Sequence, residues 1–310
     1  MIERNFDNYI NQIEKVVKKG GGKSFGIDQE FVPVPVNGEI EVVLRLLPQP
    51  RTEEQPFVEN RTHSFQGSDG KWHVVDCLRK AGHRCPICEW NKAVFDTFTS
   101  EDAKKISKKK AKKTFICNVY VVKNNAKPDT EGKIFRFKFG IQIAEKIFEK
   151  MSPKDDPDKG HIEGVQVFDY YKGANLIYKA KIGKYGPNPE ASYFGDSKPI
   201  SDKNNVPLSE AEIKRIDDSL LTLKECEKDT SKVTFEDVLN TYEKLCEGEK
   251  LFKRIPKEDG TMAYEPILPG ISAGNTAATN AGVQSAVEEP AVDSAASAES
   301  TDEFLKDLLP

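Results

Sequence analysis

The short segment between residues 63 and 88 carries four side chains that commonly bind metal ions: His63, Cys77, Cys85 and Cys88. Only a Pro-Ile pair separates Cys85 from Cys88, and this spacing allows two sulfur atoms to approach one metal. Three thiolates and one imidazole complete a tetrahedron around Zn²⁺ and leave no open coordination position. The segment therefore predicts one structural zinc ion, which shapes the fold and catalyses nothing.

The choice of histidine depends on a predicted hairpin. Two runs of strand character are joined by a Gly-Ser-Asp-Gly turn, which brings His63 close to Cys77. On an extended strand His73 lies roughly 13 Å from Cys77, too far to share an ion with it. His83 precedes Cys85 so closely that joint ligation would be cramped. We therefore predict His63 as the ligand; the alternative is three buried cysteines and an unrelated histidine.

Composition limits the class of protein. The chain has 310 residues, of which 37% are hydrophobic and 31% charged, as expected for a main globular domain with appendages. No apolar run approaches the ~18 residues of a membrane span, and no apolar signal segment follows the first residues. We therefore expect a cytoplasmic location. In a reducing compartment, clustered cysteines favour metal binding over disulfides.

Charge is unevenly distributed along the chain. From residue 269 onward there are seven carboxylates and one lysine, a net charge of −6 in a chain whose total is −4, which leaves +2 for the rest. This tail is rich in Ala, Ser and Gly and is expected to be disordered, because it cannot bury enough apolar surface to fold. Its end regains an acidic and apolar pattern typical of a partner-binding motif, formed by Asp302, Glu303, Phe304, Leu305, Asp307, Leu308 and Leu309. A solvated tail that only maintains solubility is the alternative.

The periodicity predicts an α+β core domain at residues 39–268, preceded by an N-terminal helix and glycine-rich linker (1–38) and followed by the tail (269–310). Within the core we expect a zinc subdomain at about 57–98 and a helical part at about 208–250. Strands are predicted at residues 39–47, 57–65, 71–77, 114–122, 132–140, 165–170 and 175–182. Helices are predicted at residues 6–18, 86–98, 141–151, 209–225 and 234–247, and a long loop at 183–207.

Basic residues and aromatics are interleaved in the middle of the chain. A lysine run that includes Lys108, Lys109, Lys110, Lys112 and Lys113 precedes a strand bearing Phe115, and Trp72 lies near the metal ligands. Lysine runs are usually solvated surface, but basic grooves with stacking aromatics hold single nucleic-acid strands without regard to sequence. The combination therefore suggests a nucleic-acid site.

Two further segments extend this pattern. In the predicted strand 132–140, alternation places Phe135, Phe137 and Phe139 on one face, where we favour core packing, and Arg136 and Lys138 on the other, which meets solvent or a polyanion. The long loop would suit the rim of a nucleic-acid groove through Lys184, Tyr185, Tyr193, Phe194 and Lys198.

Several local motifs are shared with a known family. They are Arg45-Leu46-Leu47-Pro48, Pro56-Phe57-Val58 before His63, Gly70-Lys71-Trp72 before Cys77, Cys85-Pro86-Ile87-Cys88, Val121-Val122-Lys123 and the run from Glu131 to Gly140. In these motifs the chain resembles the helix-destabilising single-stranded DNA-binding protein of T-even-type bacteriophages. The resemblance is specific from about residue 44 to residue 147.

The resemblance implies an OB-type β-barrel with an inserted zinc subdomain and a basic groove for single-stranded DNA. It carries zinc ligation to His63, Cys77, Cys85 and Cys88, and a groove role to Trp72, Lys110, Lys112, Lys113, Phe115 and Tyr185. It also implies an acidic C-terminus that contacts replication and recombination proteins such as a polymerase, a helicase loader or a recombination mediator, self-association on DNA, and location in a host cytoplasm.

The expected activity is stoichiometric binding rather than catalysis. The sequence shows no paired catalytic carboxylates around an open metal, no nucleophile motif and no complete phosphate-binding loop. A zinc-ribbon transcription or RNA-binding factor is the alternative from another class. It would recognise RNA or one duplex sequence instead of single strands in general.

Overall fold

The computed structural model describes residues 29–107, 111–155, 160–183 and 186–269. The predicted helix at 6–18, the glycine-rich linker and the acidic tail lie outside these residues. None of the helices in the described part of the chain combines the length and the apolarity that crossing a bilayer requires.

Groups of strands and groups of helices follow one another along the described chain. One large sheet contains β1 (Glu30–Phe31), β2 (Glu39–Leu46), β3 (Phe57–Gln66), β4 (Trp72–Asp76), β5 (Lys112–Lys123), β6 (Ile134–Phe139), β7 (Ala174–Gly183), β8 (Gly186–Asn188) and β9 (Tyr193–Ser197). A separate hairpin contains β10 (Phe252–Pro256) and β11 (Met262–Pro266). The helices are α1 (Pro86–Thr97), α2 (Ser100–Ile106), α3 (Ile141–Met151), α4 (Glu210–Asp218) and α5 (Phe235–Leu245).

Strand β5 is central to the sheet because three strands share its two edges. Strand β6 lies along one edge, and β3 and β2 follow each other along the other, all antiparallel to β5. The sheet continues from β2 to β7, which pairs with both β8 and β9, while β1 runs parallel to β6. Burial along β5 is continuous from Lys113 to Val122, as expected for a strand covered on both faces.

Three hydrophobic clusters hold the described chain together. The first, here called the sheet core, packs one face of the sheet against α3 and includes Leu44, Phe115, Phe137, Ile147 and Leu176. The second, the outer cluster, covers part of the opposite face and includes Tyr120, Val122, Ile200, Ile213 and Ile216. The third, the metal-side core, joins the β3–β4 hairpin to α1, α5 and β10 through Phe65, Leu78, Trp90, Leu239 and Phe252.

Much of the predicted secondary structure is confirmed. The strand at 39–47, the hairpin and the helix at 86–98 are present within one residue at each end, and α3 has the predicted bounds. Ser209 and Thr234 are the N-caps of α4 and α5, and each forms a capping box with the acid three residues later.

The strand predicted at 165–170 is wrong, because this stretch forms turns. The carboxylate of Asp169 accepts hydrogen bonds from the backbone N–H groups of Tyr171 (2.6 Å) and Lys172 (2.8 Å), which closes a tight turn. The apolar residues that suggested a strand are buried without forming one. Val167 and Phe168 lie in the sheet core, and Tyr170 lies in the outer cluster.

Two other boundaries are also corrected. Residues 183–207 are not one long loop, since β8 and β9 lie within them. Helix α4 ends at Asp218 rather than at residue 225, because the backbone after it crosses the sheet. There the carbonyls of Leu221 and Thr222 accept hydrogen bonds from Asn118 and Arg136 instead of helical N–H groups.

Candidate metal centre and basic surface

The four predicted metal ligands lie together because three local structures converge. His63 is in the middle of β3, opposite Val75 of β4, and the backbone N–H of Cys77 donates to the carbonyl of Arg61 (2.9 Å) at the end of that hairpin. A short 3₁₀ turn then reverses the chain, and Cys85 is the N-cap of α1. Cys88 lies in the first turn of the same helix, so both sulfurs face the hairpin.

The ligand atoms of these four residues all lie within 4.8 Å of one another. The Nε2 atom of His63 is 3.4 Å from the sulfur of Cys85 and 3.4 Å from that of Cys88. The sulfurs of Cys77 and Cys88 are 3.6 Å apart, far longer than the ~2.05 Å of a disulfide bond. All the cysteines in the described chain are free thiols, so this cluster is a potential metal site.

The electrostatics of the cluster also favour a cation. Hydrogen bonds with the thiols of Cys77 and Cys88 lower the pKa of Cys85 well below its ordinary value. The same crowding, first from Cys77 and then from Cys85, raises the pKa of Cys88. Three sulfurs this close cannot all ionise unless positive charge lies between them, and a bound metal ion supplies that charge.

The other two candidate histidines lie outside the cluster. His73 interacts with the carboxylate of Asp69 (3.0 Å) at the turn of the hairpin, and His83 is exposed on the surface. The geometry thus agrees with the choice of His63 and with the reason given for it, since β4 carries His73 away from Cys77.

The β10–β11 hairpin and the residue after it contact α1, which carries two cluster cysteines, and α5, which packs beside it. Trp90 of α1 is buried and donates from Nε1 to the carbonyl of Ile267 (2.9 Å). Arg254 of β10 forms ion pairs with Glu236 (2.7 Å) and Glu243 (3.0 Å) of α5. Sequence reasoning missed this hairpin, although the Glu258-Asp259-Gly260 turn between two short runs with aromatic residues was a usable signal.

The start of β5 brings basic residues next to the metal hairpin. Lys112 pairs with Thr62 in the sheet, one residue before the ligand His63. Its side chain is exposed, as is Trp72 at the start of β4, which is 59% exposed. Trp72 and Lys112, both predicted DNA contacts, are therefore exposed to solvent, on β4 and β5 of the large sheet.

Two other predicted contacts are buried, which corrects their assignment. Lys113 is 1% exposed and its ammonium group lies 3.4 Å from the carboxylate of Glu59. Phe115 is also 1% exposed and packs edge-on against Phe57, with Phe139 nearby. The Phe115 ring is therefore a core ring and cannot stack on a base in this conformation.

The basic face of β6 is also covered, contrary to the prediction that it meets solvent or a polyanion. Arg136 donates from Nε (3.0 Å) and Nη2 (2.6 Å) to the carbonyl of Thr222 and pairs with Glu225 (3.1 Å). Lys138 lies 3.4 Å from Glu30, with both side chains mostly buried. Arg136 therefore holds the segment at Thr222–Glu225 against the sheet, and Lys138 pairs with the neighbouring strand β1.

The remaining predicted contact residues lie outside the described part of the chain. They are Lys108, Lys109, Lys110, Lys184 and Tyr185, together with the tail residues Asp302, Glu303, Phe304, Leu305, Asp307, Leu308 and Leu309.

Comparison with known proteins supplies independent information. The family model described as "gp32 DNA binding protein like" matches residues 37–246, a range that contains the metal cluster and every strand of the large sheet except β1. A single-stranded DNA-binding protein of Enterobacteria phage T4 is 28% identical over 238 residues, which covers 74% of this chain and 73% of that protein. The corresponding protein of Enterobacteria phage T2 is 28% identical over 231 residues, or 73% of this chain and 70% of that protein. A single-stranded DNA-binding protein of Escherichia phage SV14 is 30% identical over 74 residues, or 23% of this chain and 65% of that protein.

Proposed function

The chain belongs to the gp32-like family of DNA-binding proteins, and we propose that it binds single-stranded DNA stoichiometrically and without regard to sequence. The observation that carries this proposal is the family match over residues 37–246, supported by two phage single-stranded DNA-binding proteins aligned over about three quarters of the chain. Family membership also disfavours a zinc-ribbon transcription or RNA-binding factor.

We propose that the four-residue cluster holds one zinc ion. Tetrahedral zinc with Zn–S bonds of about 2.3 Å and Zn–N bonds of about 2.0 Å separates its ligands by roughly 3.5 to 3.8 Å. The distances of 3.6 Å between Cys77 and Cys88 and 3.4 Å from His63 to Cys85 fit this geometry. With four protein ligands the ion would have no open position, so its role is to hold the β3–β4 hairpin against α1.

We also propose an OB-type barrel with the zinc subdomain inserted between its strands. The order of the strands around β5 and the position of α3 between β6 and β7 support this architecture. The metal subdomain would then interrupt the chain between β3 and β5. The domain boundaries at residues 39 and 269, between the linker, the core domain and the tail, remain predictions.

Binding would use charge and stacking together. Lysines such as Lys112 displace counterions from the phosphates, while exposed rings such as Trp72 stack on unpaired bases, an interaction worth about 1 to 3 kcal/mol per base. Because only unpaired strands present their bases, binding shifts the melting equilibrium of a duplex by mass action and needs no fuel.

In the cell this activity would protect single strands during DNA replication, recombination and repair. The acidic segment at the C-terminus, with seven carboxylates and one lysine, would recruit other replication and recombination proteins. A polyanionic segment on the same chain would also compete with DNA for the basic surface. The host cytoplasm stays the predicted location.

A competition experiment tests the proposal. Fluorescently labelled oligothymidylate of about 30 nucleotides is titrated with the full chain, and anisotropy is followed at several salt concentrations. Unlabelled single-stranded DNA of mixed sequence should compete well, and a blunt duplex of the same length should compete poorly. Stronger competition by one duplex sequence or by RNA would contradict the proposal and favour a transcription or RNA-binding factor.

A further inference from the structure

A cavity of about 300 Å³ opens on the face of the sheet that points away from the sheet core. Its floor is apolar and includes Val43 of β2 and Ile177 of β7, which are cross-strand partners. Lys123, Lys198 and Lys203 surround this floor. Positive charge around an apolar surface suits a nucleotide, which has a phosphate and a flat base.

The charges around the cavity leave a positive balance. Asp196 also lines it, and Lys203 pairs with Glu131 at 3.1 Å. Lys198 donates to the neutral side chain of Asn205 (2.8 Å). An anion that entered here would therefore meet cations that are not fully neutralised by the protein.

One buried polar side chain that lines the cavity, and its cross-strand partner outside the lining, have unsatisfied atoms among the described residues. Asn175 is 4% exposed and lines the cavity, and its Oδ1 atom accepts no hydrogen bond there. Its cross-strand partner Arg45 is fully buried and donates from Nη2 to the carbonyl of Lys198 (2.5 Å), but its Nε and Nη1 atoms have no acceptor. Buried polar atoms without partners are rare and indicate a missing ligand or water.

These atoms indicate the chemistry of the missing partner. The Oδ1 atom of Asn175 needs a donor, which every nucleobase carries as a ring or exocyclic N–H group. Burial lowers the pKa of Arg45 to about 10, and Asp169 offsets only part of that effect. Arg45 does not line the cavity, so its buried positive charge acts on a phosphate there only through space, in addition to the lysines that line it.

An exposed aromatic ring lies beside the cavity on the same face. Tyr193 of β9 is 51% exposed and is the cross-strand partner of Ile177. The ammonium group of Lys179 lies 5.9 Å from the centre of this ring. A ring in this position offers a stacking surface for a base next to the one in the cavity.

We propose that this cavity holds one nucleotide of a bound single strand. The phosphate lies against Lys123, Lys198 and Lys203, and the base lies on Val43 and Ile177 and donates a hydrogen bond to Asn175. The next base stacks on Tyr193. This inference rests on the proposed function and deepens it, because it adds a nucleotide-binding position on the outer face of the sheet, separate from the metal hairpin.

Two substitutions in the full chain test the inference. Gly195 lines the cavity, and a Cβ added there would meet Ile177 at 3.4 Å, an ordinary contact, so Gly195→Leu fills the space. Lys123→Gln removes one exposed charge and does not threaten the fold. Lys214→Gln is the matched control, since it removes an exposed lysine of α4 outside the cavity.

Oligothymidylate affinity and its salt dependence are measured for all four proteins, with thermal unfolding as a check on folding. We expect Gly195→Leu and Lys123→Gln each to bind about tenfold more weakly. Lys123→Gln should also reduce the slope of log K against log salt by about 0.7. Lys214→Gln should bind like the unmodified chain. If Gly195→Leu fails to fold, Lys123→Gln decides alone.

The outcomes separate this inference from the proposed function. If the unmodified chain binds strands and both cavity variants bind equally well, the cavity is not a strand contact, although the function stands. If the unmodified chain does not bind single strands, both proposals fail. If Gly195→Leu abolishes binding of free thymidine monophosphate, followed by NMR, but leaves strand affinity unchanged, the cavity takes a free nucleotide and the inference is overturned.

Discussion

At the scale of single residues, neighbours in the basic run have opposite environments. Lys112 is exposed at the start of β5, whereas Lys113 is 1% exposed beside Glu59. The sequence presents both as members of one lysine cluster. Their environments differ because the register of pairing between β3 and β5 determines which side chains of β5 point into the protein. A single sequence does not reveal that register.

This pair gives a matched prediction. Lys112→Gln should reduce the slope of log K against log salt for single-stranded DNA by about 0.7 and leave stability unchanged. Lys113→Gln should lower the free energy of unfolding by about 2 kcal/mol, because it removes a buried partner of Glu59, and should leave the slope unchanged. Binding at graded salt and urea unfolding measure the two effects. The reverse pattern would contradict the structural assignment.

The four proposed zinc ligands give a second prediction at this scale. Cys85→Ser should reduce bound zinc from one per chain to a small fraction and destabilise the fold by several kcal/mol, because ligand loss weakens a binding free energy of about 10 kcal/mol or more. Cys226→Ser is the control, since this free thiol lies outside the cluster and should change neither quantity. Metal analysis and thermal melting provide the readout, and equal zinc content in the two variants would contradict the assignment.

At the scale of elements, the strands, turns and helices that could be predicted are those determined by residues close together in the sequence. The Val- and Leu-rich strand at 39–47, the hairpin and the helix α3 all follow from periodicity and turn residues. The convergence of His63, Cys77, Cys85 and Cys88 in one cluster also follows, because their spacing is a local property. The covered face of β6 does not, since Arg136 is buried by a segment that comes 86 residues later in the chain.

The β10–β11 hairpin shows the same limit and leads to a prediction for an element. Phe252 is 2% exposed and packs against Phe235, whereas Ile255 on the same strand is 37% exposed. Phe252→Ala should lower the free energy of unfolding by about 3 kcal/mol, because it opens a cavity in the metal-side core. Ile255→Ala should cost less than about 1 kcal/mol. Urea unfolding distinguishes them, and equal costs would show that the hairpin does not support the core.

At the scale of the whole molecule, the sequence divides into two parts of opposite net charge. Residues up to 268 carry a net +2 and the rest carry −6. An acidic segment tethered to a basic body has a high effective concentration near it. The tail should therefore weaken DNA binding until DNA or a partner protein displaces it.

Deletion of residues 270–310 tests this idea. The shortened chain should bind single-stranded DNA on the order of tenfold more tightly at low salt, with a smaller difference at high salt, because screening weakens the competing tail. A full-length chain with the seven tail carboxylates changed to amides should behave like the deletion. Unchanged affinity and unchanged salt dependence in both proteins would show that the tail does not compete.

The central claim is that a metal-held fold binds unpaired DNA strands, and one titration tests it directly. Oligothymidylate is added while tryptophan fluorescence reports on Trp72 and Trp90, first with the protein as purified, then after treatment with a chelator and again after zinc is added. We predict one zinc per chain, quenching at low DNA concentration, loss of affinity after chelation and recovery with zinc. A protein that contains no zinc, or one that binds intact duplex more tightly than single strands, would contradict the claim.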